Sequence, residues 1–329
     1  MIISRTPFRI SFAGGGSDLP QFYRQELGAV LSTSIDKYMY IALHPFFDKE
    51  KIQLKYSKTE LVSSIDEIKH PIFREVLALY NLKGLDLNSI ADIPSGTGLG
   101  SSSSFTVGLL NAVNTHLGKS ISNEKLGGLA CDVEINRVGS PIGKQDQYAA
   151  ACGGLNFITF YGDESVSVEK IIMQPEKKRE LQDNLIMVYI GGNHSANDIL
   201  TEQQKQLSAK DSKEFEIQKQ MVQQAFQLKT LLENNQIDDF GRFLHEGWLM
   251  KKTLSSGISN SFIDQIYNRG LKAGALGGKL LGAGGAGFIL FYCPAEKQTH
   301  FRKSMLDLKE MEFNFDSAGS KIIYLDENY

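Results

Sequence analysis

One segment constrains this chain more than any other: Pro94-Ser95-Gly96-Thr97-Gly98-Leu99-Gly100-Ser101-Ser102-Ser103-Ser104. It leaves an alternating, strand-like stretch (Leu85 to Ile93) and opens an apolar helical one (Phe105 to Leu117). A flexible linker has no reason to sit between a strand and a buried helix. The glycines allow positive φ, so successive N–H groups can turn toward one point. The helix start adds unpaired N–H groups and a partial positive charge. The serines add hydroxyl donors and a candidate metal ligand. Together these features describe an anion site of polyphosphate size.

Two other glycine motifs fail on context. Gly118-Lys119-Ser120 resembles the end of a P-loop, but Val113 stands where its first glycine belongs. Gly282-Ala283-Gly284-Gly285-Ala286-Gly287 spells a dinucleotide fingerprint, yet the strand Phe288-Ile289-Leu290-Phe291 follows it where a helix is required.

The 329 residues allow about two domains at roughly 150 residues each. A net charge of -3 argues against nucleic acid or an anionic membrane as partner. Cys131, Cys152 and Cys293 are dispersed, which favours a reducing compartment, and the histidines show no metal-ligand spacing. The N-terminus lacks an apolar signal core, and the charge-free run Leu280 to Ala295 is glycine-rich and too short for a bilayer span. The expectation is a soluble cytoplasmic protein.

Strands are expected at Ile2 to Phe12, Val30 to Phe46, Ile52 to Tyr56, Leu85 to Ile93, Leu155 to Tyr161, Val166 to Ile172, Leu185 to Ile190, Phe288 to Tyr292 and Lys321 to Leu325. Helical spacing marks Leu19 to Leu27, Pro71 to Tyr80, Phe105 to Leu117, Asn123 to Asn136, two or three helices from Ala196 to Thr253, and one from Glu296. In the long helical region Phe215, Met221, Val222, Ala225, Phe226 and Leu232 mark one apolar stripe. The elements mix without strict alternation, so the fold class is α+β. The charged stretch Glu176 to Asp183 is the expected boundary, giving domains 1–180 and 181–329.

Three segments, in this order and spacing, resemble one superfamily: Pro7 to Pro20 with Gly14-Gly15-Gly16-Ser17-Asp18, the Pro94 to Ser104 loop, and Lys279 to Phe288. The chain is similar to GHMP kinases, the group of galactokinase, homoserine kinase and mevalonate kinase. The stretches Lys55 to Glu60, Gly143 to Ala149, His245 to Trp248 and Ile258 to Asn260 resemble the branch acting on D-glycero-D-manno-heptose 7-phosphate, and fucokinase-like sugar kinases share part of the pattern. The resemblance implies two domains along a deep cleft, the N-terminal one with a left-handed βαβ crossover and the C-terminal one ferredoxin-like.

It also implies ATP on Pro94, Ser95, Gly96, Thr97, Gly98, Leu99, Gly100, Ser101, Ser102 and Ser103, with Mg2+ held by Ser102 and Glu134. The residues alone leave Glu134 readable as an exposed helix carboxylate. Asp146 matches the family's catalytic aspartate and Arg9 the cation that keeps it ionised, with Lys144 as a second candidate; Asp146 also reads as a helix N-cap. Asp18 matches a carboxylate that accepts from sugar hydroxyls, though a turn aspartate reads the same way. Gly15, Gly16, Ser17, Lys144, Gly284 and Gly285 complete the implied substrate site. A distal phosphate would need Lys144, Arg137, His194, Lys251 or Lys252. His194, where relatives would carry arginine, and Ala286, where glycine is commoner, depart from the pattern. The implied activity is transfer of the ATP γ-phosphoryl group to the anomeric hydroxyl of a sugar phosphate, giving the 1,7-bisphosphate for surface-glycan synthesis. A kinase of an unphosphorylated sugar and a non-catalytic sugar or nucleotide sensor are the alternatives, and a homodimer is allowed.

Overall fold

The structure is a computed structural model that describes residues 1–192 and 196–326. The chain opens with β1 (Ile2–Ala13), a glycine turn and α1 (Pro20–Tyr23). Next come β2 (Gly28–Pro45), β3 (Ile52–Lys55), β4 (Thr59–Val62), α2 (Pro71–Tyr80) and β5 (Leu85–Ala91). Three helices follow: α3 (Ser101–His116), α4 (Asn123–Cys131), which continues into a π-helical turn (Asp132–Arg137), and α5 (Gln145–Cys152). β6 (Leu155–Phe160), β7 (Val166–Lys170), α6 (Pro175–Asp183) and β8 (Leu185–Gly191) lead to α7 (Ala196–Leu207), α8 (Lys213–Glu233), α9 (Phe240–Lys252) and α10 (Ser261–Lys272). The chain ends with β9 (Gly277–Leu280), β10 (Gly287–Tyr292), α11 (Gln298–Ser304), β11 (Lys309–Glu310), β12 (Phe315–Asp316) and β13 (Lys321–Leu325).

Among the described residues these strands make two sheets. Nine build the first, with the path β13-β1-β2-β5-β3-β4 and with β6 and β12 also on the long β2. Its β3–β5 pair is parallel, and β4 and α2 lie in the connection. The second sheet runs β11-β8-β10-β9. Numbered from β8, that is order 4-1-3-2 with helices between first and second and between third and fourth strands, the ferredoxin-like arrangement. The architecture is α+β, as the mixed element order implies. The last two strands return to the first sheet, β12 on β2 and β13 on β1, across the charged stretch that the sequence offered as a boundary.

Local chemistry explains most boundaries. Pro71 starts α2, whose His70 caps the Phe73 N–H at 3.4 Å, and Asn81 ends it in the left-handed conformation. Ser212 and Asn260 cap α8 and α10 through their side chains. α3 is apolar nearly all round because it packs beneath β1 and β2. β1 shifts register against β2 between Pro7 and Phe8 and again after Ser11, and Arg9 lies between these irregularities, which re-aim side chains.

Three expectations need correction. The helix expected through Leu27 is one turn, because β2 begins at Gly28. Phe226 leaves the buried stripe and packs half-exposed against Phe157, with ring centroids 4.8 Å apart. Helix α10 was not expected at all, although Ile263, Ile266, Tyr267 and Gly270 line its buried face.

Candidate active site

A cleft of about 470 Å3 lies where both sheets contribute loops. The Pro94 to Ser104 loop forms one wall. Gly96, Gly98 and Gly100 have φ of 76°, 83° and 76°, and Gly100 sits at the start of α3. Gly96, Gly98, Gly100, Ser101, Ser102 and Ser103 line the cleft. Pro94 and Ser95 stand at the exposed outer end, Leu99 is buried beneath, and the Thr97 hydroxyl donates to the Pro94 carbonyl at 3.0 Å.

Arg9 and Asp146 meet beside this loop. Arg9 Nε and Nη2 donate to the two carboxylate oxygens at 2.7 and 2.6 Å, and Nη1 donates to the Gly98 carbonyl at 2.7 Å. The forked guanidinium fixes the orientation of the carboxylate plane. Asp146 occupies the first turn of α5 rather than its cap, which is Lys144.

Glu134 is buried in the π-helical turn, not exposed on a helix. Its Oε1 accepts from Ser102 Oγ at 2.7 Å, and Oε2 accepts from Ser103 Oγ at 2.8 Å and Gln147 Nε2 at 2.7 Å. Burial pushes its carboxyl up from the ordinary range, against the three donors that stabilise the anion. Ser102 uses its proton on Glu134, so its oxygen lone pairs remain for a cation. Among the described residues no group of three or more His, Cys, Asp or Glu could hold a metal. A hydroxyl with one carboxylate fits magnesium, which keeps waters and takes phosphate oxygens as its other ligands.

Asp18 closes the other end. Its carboxylate accepts from the Gly16 N–H at 3.0 Å and from the backbone and side-chain nitrogens of Gln145 at 3.2 Å each. Burial, then the nearby Asp146 charge, raise its pKa to about 6. Gly143 must be glycine here, because a Cβ would stand 1.9 Å from Asp18 Oδ2.

The remaining residues divide. Gly15 and Gly16 line the cleft. Ser17 is turned inward: its hydroxyl donates to the Gly14 carbonyl at 2.8 Å and accepts from the Ala29 N–H at 3.0 Å. Lys144 is directed away from Asp146, pairs with Glu164 and lies over the Tyr23 ring. Gly284 and Gly285 pack on Ile258, with the Gly285 N–H on its carbonyl, while Gly282 and Ala283 face the cleft. Ala286 is absent from the non-glycine positions with positive φ, so its methyl is tolerated. Arg137 pairs with Asp132 and Lys252 with Asp264; Lys251 lines the cleft; His194 lies outside the described residues. Gln145, Gln147 and Lys279 join the site without having been singled out. Lys279 sits in the third motif and both glutamines flank Asp146, so proximity to motif residues was their only signal.

This fold and site define the protein's class. Residues 65–154 match the GHMP kinases N terminal domain and residues 228–302 the GHMP kinases C terminal domain, and the chain belongs to this family of ATP-using kinases. It is 29% identical over 336 residues to the D-glycero-alpha-D-manno-heptose 7-phosphate kinase of Campylobacter jejuni, covering 97% of this chain and 98% of that one. Among solved structures, it resembles a putative sugar kinase from Campylobacter jejuni, with TM-score 0.77, 26% identity and coverage of 98% and 97%. It shares the fold of a D-glycero-D-manno-heptose 1-phosphate kinase from Bacteroides thetaiotaomicron, with TM-score 0.81, 24% identity and coverage of 99% and 100%. Among the described residues no helix is long and apolar enough to cross a membrane.

Proposed function

We propose that this chain is an ATP-dependent kinase of D-glycero-D-manno-heptose 7-phosphate, acting on the anomeric hydroxyl to give the 1,7-bisphosphate and ADP. The observation that carries the reading is the position of Asp146 at the mouth of the amide cradle. A Cβ built on Gly100 would stand 3.3 Å from Asp146 Oδ2, so the carboxylate reaches the point where a terminal phosphate leaves the loop. The campylobacter relative supports the heptose phosphate as acceptor.

Phosphoryl transfer asks for charge neutralisation and alignment more than for covalent chemistry. The backbone N–H groups of residues 96–102 bind the polyphosphate tail. Ser102 and Glu134 would hold Mg2+, which neutralises phosphate charge when bound. Asp18 accepts from sugar hydroxyls and orients the ring. Asp146, held by Arg9, takes the proton of the attacking hydroxyl as its oxygen bonds to the γ-phosphorus and the bond to the β,γ-bridging oxygen breaks. We take the lobes as 1–180 and 181–329, with the tail strands β12 and β13 returning to the first sheet.

One observation favours a second reading, a kinase of an unphosphorylated sugar. Lys144, Arg137 and Lys252, three of the cations available for a distal phosphate, are each paired with a carboxylate. A screen of heptose 7-phosphate, mannose, fucose and galactose with ATP, mapping the phosphorylated carbon, decides between them. Turnover of heptose 7-phosphate at C1 supports the first reading. Turnover of a free hexose alone supports the second, and no turnover of any sugar removes both.

A further inference from the structure

Two lysines from the second sheet's side end in the cleft with no carboxylate partner among the described residues. Lys251, near the end of α9, and Lys279, in β9, are 8% and 6% exposed, and both line the cleft. Lys251 Nζ donates to the carbonyls of Leu280, at 3.3 Å, and Gly282. Lys279 Nζ donates to the Phe12 carbonyl at 2.9 Å. Carbonyls satisfy ammonium protons but leave the charge uncompensated, and buried charges are ordinarily paired.

Their place is specific. Lys251 grips Gly282, and Gly282 packs against Gly98, whose Cα lies 2.4 Å from the position of a Cβ on Gly282. The Gly98 carbonyl in turn accepts from Arg9, which holds Asp146. Lys251 and Arg9 therefore stand on either side of the junction between the two glycine loops. Among the described residues the cations acting on Lys279 are Lys251 and Arg9 on β1, and Arg9 also acts on Lys251, while the carboxylates of Asp18 and Asp146 line the same cleft. Among the groups of this cluster only Arg9 has a carboxylate partner among the described residues.

We infer that Lys251 and Lys279 are catalytic cations that engage the terminal phosphate of the nucleotide, not a phosphate of the acceptor, as it passes from the amide cradle to the hydroxyl beside Asp146. The assignment rests on the kinase reading above. The like-charged neighbours support it. Burial first, then Arg9, lower the Lys251 pKa to about 7, and burial, Lys251 and Arg9 depress Lys279 well below the usual lysine range. An arriving polyphosphate reverses that penalty, so binding draws protons onto the pair.

The test titrates inorganic tripolyphosphate and ATP calorimetrically, at pH 7.5 in two buffers of different ionisation enthalpy. The proteins are wild type, Lys251→Met, Lys279→Met and Lys251→Arg. Wild type should take up protons on binding. Each methionine variant should lose part of that uptake, bind tripolyphosphate about 10-fold more weakly and lose about 100-fold in kcat, the scale of removing one charge-stabilising donor. Lys251→Arg should retain most of the binding. Methionine variants with unchanged binding, uptake and kcat overturn the inference. So does an increase in KM confined to phosphorylated acceptors, which would assign the pair to the acceptor. Wild type that binds neither probe overturns the kinase reading instead. Should the methionine variants not fold, the wild-type pH profile decides. Activity as kcat/KM for ATP should fall through pH 7 on the basic side, with the limb moved upward in kcat. A flat profile from pH 6 to 9 overturns the inference.

Discussion

Gly98 and Gly282 meet backbone to backbone: a Cβ on Gly282 would stand 2.4 Å from the Gly98 Cα, and one on Gly98 2.5 Å from the Leu281 carbonyl oxygen. The contact joins a loop of the first half of the chain to one of the second, and both glycines have positive φ, 83° and 74°. Gly282→Ala should therefore part the loops. We expect a stability loss of about 1–3 kcal/mol from strain and overpacking, and roughly 100-fold lower kcat from misplacement of the reacting groups. Thermal melts and initial rates check both, and wild-type rates would show that the loops need not touch for transfer.

Asp146→Asn keeps the shape of the Arg9 partner but removes the proton acceptor. Turnover should fall by about 10²–10⁴-fold, the range of general-base contributions, while ATP still binds. Rapid-quench rates with calorimetric ATP titration separate the two quantities. Turnover near wild type would leave Asp146 with orientation alone.

Ser102→Ala and Glu134→Gln should each raise the magnesium concentration needed for half-maximal rate by about 10-fold, a scale typical of disturbed metal sites. Glu134→Gln also leaves buried donors of Ser103 and Gln147 facing an amide, so its melting temperature should drop as well. An unchanged magnesium titration would move the metal elsewhere.

Burial, then the Asp146 charge, hold the Asp18 pKa at about 6, above the ordinary 3.8. The folded state therefore holds this proton more tightly, and stability from the group is present below pH 4 and lost as pH rises toward 6. Activity runs the other way, since only the ionised carboxylate accepts from two sugar hydroxyls. The kcat/KM for the sugar should rise through pH 6. In Asp18→Asn that limb should vanish and sugar KM should increase at least about 10-fold, because one of the two acceptor oxygens becomes an NH2 donor facing a substrate hydroxyl. A limb that survives the substitution belongs to another group.

How much of this was readable in the chain depends on the range of the signal. The phosphate loop declared itself because strand, glycines and apolar helix are contiguous. The Arg9–Asp146 pair was legible only through family resemblance, since 137 positions separate them. Glu134 shows the limit of local reading: its helical surroundings suit an exposed carboxylate, and only Ser102, Ser103 and Gln147 converging from two other helices justify its burial. Lys144 illustrates the same limit, because its ion pair with Glu164 and its contact with the Tyr23 ring join it to residues outside its own motif. Helix α10 escaped because its cap, Asn260, was taken only as part of a motif, while its apolar residues follow three and four apart.

The return of β13 to the edge of β1 sets an order of events in synthesis. Ile2 is aligned with Leu325, and Ile35 of β2 with Phe315. The sheet that carries Arg9 therefore waits with an unzipped margin while the ribosome makes every other described element. Non-local closure of that kind is slow and exposes a strand edge meanwhile. A nascent chain halted before residue 315 would present that bare margin to chaperones, and the lobe built on β1 and β2 would be the last part of the enzyme to set.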